Sequence, residues 1–76
     1  MKTFRSTEQW KRYKYLRTRY TNACVNVFVL ANSRRNKTVT VDDREYQQLE
    51  RSRLALDSFV LATMQLNGII REVRDD

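Results

Sequence analysis

The sequence predicts an all-α fold, a two-helix antiparallel hairpin, and three observations carry that prediction. The chain has no proline and a single glycine, Gly68, so it lacks the turn formers that an all-β domain needs. Two long stretches, one on each side of a polar connection, place apolar residues at spacings of three and four, the period of a helix face. The second stretch also carries a start signal and a stop signal at its ends.

The first helix is expected over about residues 7–31. Ser6-Thr7-Glu8-Gln9 has the form of a capping box, in which the Ser6 hydroxyl and the Gln9 side chain each meet the other's backbone N–H. The four residues at the start are expected to fray. Tyr13, Leu16, Tyr20, Ala23, Val27 and Leu30 then form a heptad seam, flanked by Trp10, Cys24 and Ala31. Val25, Val27 and Val29 alternate as a strand would, and Lys37–Val41 could pair with them across Asn32–Asn36. That alternative order is α-β-β-α. The unbroken seam and the absence of a turn glycine favour the helix.

Residues 32–39 form the expected connection, with Asn32, Ser33 and Asn36 as turn formers and Arg34, Arg35 and Lys37 as a positive tip. The second helix is expected over about residues 41–67. Thr40 suits its N-cap, and Asp42 and Asp43 suit its first turn, where carboxylates meet free N–H groups and the positive end of the dipole. Leu49, Leu56, Phe59, Thr63 and Leu66 make the principal stripe, widened by Ala55, Val60 and Ala62. Gly68 is placed for a left-handed closing residue, with Ile69 packing back toward Met64. Residues 68–76 then form a tail, and a competing reading continues the helix through Ile70 and Val73, which keep the spacing.

Leu54, Leu61 and Met64 fall on the far side of this second helix. A helix apolar on two sides has two partners. The single small domain is also near the length at which one chain buries barely enough surface to hold itself together. The expected completion is a homodimer packed as a four-helix bundle. Leu54, Leu61 and Met64 would then contact a further copy or a protein partner.

Charge is unevenly placed. Residues 1–40 carry ten Lys or Arg and one acid, a net of +9, while residues 41–76 carry five Arg and eight acids, a net of −3. On the first helix Lys11, Lys14, Arg19 and, at the edge, Arg12 gather opposite the seam with Tyr15 among them. Such a face can contact successive phosphates, and the Tyr15 ring can meet a base or sugar. With Arg34, Arg35 and Lys37 from the connection, these residues are the candidate nucleic-acid-binding set. Helix-turn-helix, zinc-finger and RNA-binding signatures are absent, so the expected binding is electrostatic and indifferent to sequence.

Catalysis is not expected. The chain has no histidine and one cysteine, which removes the usual general base, the triads and histidine-containing zinc sites. Cys24 beside the seam reads as a structural thiol. Asp42, Asp43 and Glu45 read as first-turn carboxylates rather than magnesium ligands. No cofactor, metal or small-molecule substrate is implied. The longest apolar run, Ala23–Ala31, is interrupted by Asn26 and too short to span a bilayer. With no signal peptide and a lone cysteine, a cytoplasmic location is expected. The leading expectation is therefore a small basic accessory protein that binds nucleic acid as a homo-oligomer. The alternatives are an inhibitor or adaptor, of the kind found in phages and mobile elements, docking on an acidic protein, and a purely structural oligomerisation unit.

Overall fold

The computed structural model of the chain describes residues 6–70. It is a hairpin of two helices packed against each other, α1 (Thr7–Ser33) and α2 (Arg44–Leu66). Among the described residues no strand forms, and residues 24–30 are helical, so the α-β-β-α order is not adopted. The expectations for the first residues and for the tail beyond Ile70 fall outside the described range.

Ser6 caps α1, its hydroxyl accepting the Gln9 backbone N–H at 3.1 Å. The other half of the capping box does not form. The Gln9 side chain reaches across the hairpin to Asn67, each amide donating to the other's oxygen at 3.3 and 3.1 Å. This pair joins the start of α1 to the end of α2 and makes the two helices antiparallel. At its other end α1 runs two residues further than expected, because Ser33 bonds its hydroxyl to the Leu30 carbonyl and Lys37 donates to the Asn32 carbonyl. Both bonds involve carbonyls of the last turn, and Lys37 brings a cation to the negative end of the dipole.

The start of α2 differs from expectation. Asp43, not Thr40, is the N-cap, and the helix begins at Arg44. The cause is a clasp across the connection: Arg34 grips the Asp43 carboxylate through two nitrogens at 2.6 and 2.7 Å. Asp43 also accepts the Thr40 backbone N–H at 2.8 Å. Residues 40–43 are thereby held as a turn, and Glu45 becomes the acid of the first helical turn.

The end of α2 is as expected. Gly68 takes φ +74°, and the Ile69 and Gly68 N–H groups donate to Met64 and Gln65 carbonyls at 2.9 and 3.1 Å. That is the Schellman pattern, which needs a residue comfortable in the left-handed region.

The seam of α1 is also as expected: Leu16 and Ala23 are buried, and Tyr13, Tyr20, Val27 and Leu30 are half-buried. The stripe of α2 is shifted. Leu49, Leu56, Phe59 and Val60 are half-buried and Thr63 buried, but Leu66 is 78 % exposed and Asn67 only 5 %. After Thr63 the inward position is reached by a step of four instead of three, which turns Leu66 outward. Ala55 and Ala62 are exposed as well, while Ser52 is buried and Met64 half-buried. Ser52 sits in the seam because its hydroxyl bonds the Gln48 carbonyl at 2.8 Å, so no polar group is left unpaired.

The hairpin is thin and long. Its radius of gyration is 16.5 Å, against about 11 Å for a compact chain of this length. Leu16 and Ala23 are the only buried apolar residues among those described, and neither is fully enclosed.

Candidate nucleic-acid interface

The first half of α1 carries the candidate face. Lys11, Arg12, Lys14, Tyr15 and Arg19 are all exposed, and so is Arg17, which the residue pattern alone left out of the set. Arg17 stands between the seam and the outer face, where a helical wheel assigns it to neither. It joins Lys14 in lining a shallow open depression with Thr18, Thr21 and Asn22.

Ion pairing separates these cations from those elsewhere. Among the described residues the ion pairs are Arg34 with Asp43, and Arg53 with Glu50 and Asp57. None involves a cation of α1, whose one acid is Glu8. In α2 three arginines are matched by Glu45, Glu50 and Asp57. Positive potential is therefore concentrated on the first half of α1.

Aromatic rings order that charge. Arg12 and Arg19 lie over the Tyr15 ring, 5.5 and 5.8 Å from its centroid. Spacings of three and four put the three residues on one stripe of the helix. The Lys14 ammonium lies 5.6 Å from the Trp10 ring, which stacks on Tyr13 at 5.6 Å between centroids. Such contacts contribute about 0.5–1 kcal/mol each at exposed sites. Their effect here is to hold guanidinium groups against the helix surface, so that less side-chain freedom is lost when an anion binds.

The connection contributes less than its composition suggests. The Arg34 guanidinium is committed to Asp43, which raises its pKa above the usual value and holds the Asp43 carboxyl well below the usual carboxylate range. Lys37 is held against Asn32, and Arg35 is exposed. Arg34 also lies about 22 Å along the axis from Arg19. One hairpin does not bring the two groups of cations together.

The protein-interface set divides in the same way. Leu54 and Leu61 are 54 % and 50 % exposed, whereas Met64 is half-buried. Cys24 is half-buried and shares a hydrogen bond with the Tyr20 hydroxyl, the main cause of that phenol's raised pKa. Among the described residues no three His, Cys, Asp or Glu converge as metal ligands, and no helix is long and apolar enough to cross a membrane. No protein-family model, curated protein or solved structure matches the chain.

Proposed function

We propose that the protein is a non-enzymatic, homo-oligomeric nucleic-acid-binding protein that uses the first half of α1 as its contact surface. The observation that carries this reading is the set of exposed cations on that half-helix, Lys11, Arg12, Lys14, Arg17 and Arg19, none of them paired with an acid among the described residues. Phosphate binding depends on cations free of competing acids, and these five can be engaged without breaking an ion pair among the described residues. The lone thiol of Cys24 fits a reducing compartment, and the cytoplasm is the location this reading implies.

Titration of labelled duplex and single strands against salt tests the proposal. With about four to six phosphates neutralised per binding unit, log K should fall against log salt with a slope of roughly −4 to −5 on duplex DNA. Reversing Lys11, Lys14 and Arg19 to Glu together should abolish binding and leave the helical circular-dichroism signal intact. Arg34→Ala should leave affinity nearly unchanged, since that guanidinium already serves Asp43.

A second reading has its own observation. Leu54 and Leu61 stand exposed two turns apart on α2, as anchors for a groove on another protein. An inhibitor or adaptor of this kind would show no nucleic-acid affinity at physiological salt. It would retain its partner after nuclease treatment and lose it in Leu61→Asp.

A further inference from the structure

The second half of α1 is unlike the rest of the chain. Tyr20–Ser33 contains no charged residue, although 32 % of the whole sequence is charged. Within it Val25, Phe28 and Val29 are 51 %, 69 % and 62 % exposed. Spacings of three and four place them on one face, turned away from the seam. Asn22, Asn26 and Asn32 surround them and are exposed. A neutral apolar centre with a polar rim is the anatomy of an interface.

We infer that this face is the self-association surface, and that its occupant is the same face of a second copy, packed with the two α1 helices antiparallel. Two observations favour a second copy. The antiparallel arrangement sends the two basic half-helices to opposite ends, which avoids the repulsion that a parallel pair would create. The chain also exposes 6406 Å², against about 4,900 Å² for a folded monomer of its mass. That excess accommodates the roughly 800 Å² that each partner hides in an interface of standard size. Leu54 and Leu61 fit the role less well, being two separate side chains with Asp57 and Ser58 between them in sequence.

The register has a consequence that rests on the nucleic-acid reading. With Phe28 of one copy against Val29 of the other, the two Tyr15 positions stand about 40 Å apart at 1.5 Å per residue. That is about 5 Å longer than the one-turn spacing of about 34–36 Å at which dimers contact successive half-sites on a duplex. The same register carries the exposed Arg35 of each copy toward Asn22 of the other, one turn from Arg19. Cations that lie apart in one hairpin come together in two.

Sedimentation equilibrium at micromolar concentration tests the interface. The wild-type chain should be a dimer, Phe28→Asp should self-associate about tenfold more weakly or less, and Leu61→Asp should remain dimeric. Helicity should be unchanged in Phe28→Asp, because that side chain does not support the hairpin. In a Cys24→Ala background, Val29→Cys should oxidise to a covalent dimer and Leu61→Cys should not. A monomeric wild type, or dissociation by Leu61→Asp with Phe28→Asp still dimeric, would overturn the inference. The DNA arm separates it from the functional reading. Phe28→Asp should roughly halve the salt slope, whereas the triple charge reversal should abolish binding with the dimer intact. A stable dimer with no DNA affinity would sink the functional reading alone.

Discussion

Asp43 shows how one carboxylate sets local structure. Its oxygens accept from the Arg34 guanidinium and the Thr40 backbone N–H, and this fixes both the turn and the first residue of α2. Because these donors favour the ionised form, the folded pKa lies below the unfolded value of about 3.9. Such a group stabilises the fold fully above the unfolded pKa, and the contribution disappears as pH falls through the folded one. Thermal melts of wild type and Asp43→Asn should therefore differ most at neutral pH, with the gap narrowing progressively below about pH 4. A gap that stayed constant down to strong acid would show that the carboxylate charge is not what holds the turn. Gly68 offers a second residue-scale prediction. A Cβ there would meet nothing within 4 Å, but φ is +74°. Gly68→Ala should thus cost about 1 kcal/mol from backbone conformation alone, lowering the melting temperature by about 4–8 °C in a domain of this size.

At the scale of the element, the register of α2 decides which leucines matter. Leu56 faces α1, whereas Leu66 is turned out by the step from Thr63 to Asn67. Leu56→Asp should destabilise by about 3 kcal/mol or more and unfold so slender a hairpin. Leu66→Asp should change the melting temperature little. Equal sensitivity of the two sites would place Leu66 back in the seam. Asn67 takes the inward position because its buried amide exchanges two hydrogen bonds with the Gln9 amide. Asn67→Leu would remove that pair and leave the Gln9 amide facing an apolar group, so it should destabilise even though it lengthens the apolar stripe.

For the whole molecule, thinness is the governing property. Two helices can cover one side of each other and no more, so large apolar side chains remain at the surface of both. If a second copy covers Val25, Phe28 and Val29, the melting temperature must rise with protein concentration, since assembly stabilises by mass action. A melting temperature independent of concentration across the dissociation range would count against assembly through any face. The basic half-helix adds a further condition. Salt screens phosphate contacts but has little hold on an apolar contact between uncharged faces, so high salt should weaken nucleic-acid binding and leave the dimer intact, and the two activities should separate in one titration.

How much of this was legible beforehand depends on range. The two helices, the Ser6 cap, the Gly68 stop, the seam of α1 and the basic character of its first half all follow from local rules: period, capping chemistry and charge. Those rules act within a few residues, so the linear order of side chains determines them. What required the tertiary structure was every choice between partners distant in the chain. Gln9 could serve Ser6 or Asn67, and only the antiparallel closure places Asn67 within reach. Asp43 could sit inside α2 or cap it, and the guanidinium of Arg34, nine residues away, decides. The same closure commits Arg34 to Asp43, leaves Arg17 at the surface and turns Leu66 outward. Helical periodicity tells which residues share a face, but only the partner helix says which of two adjacent faces is buried.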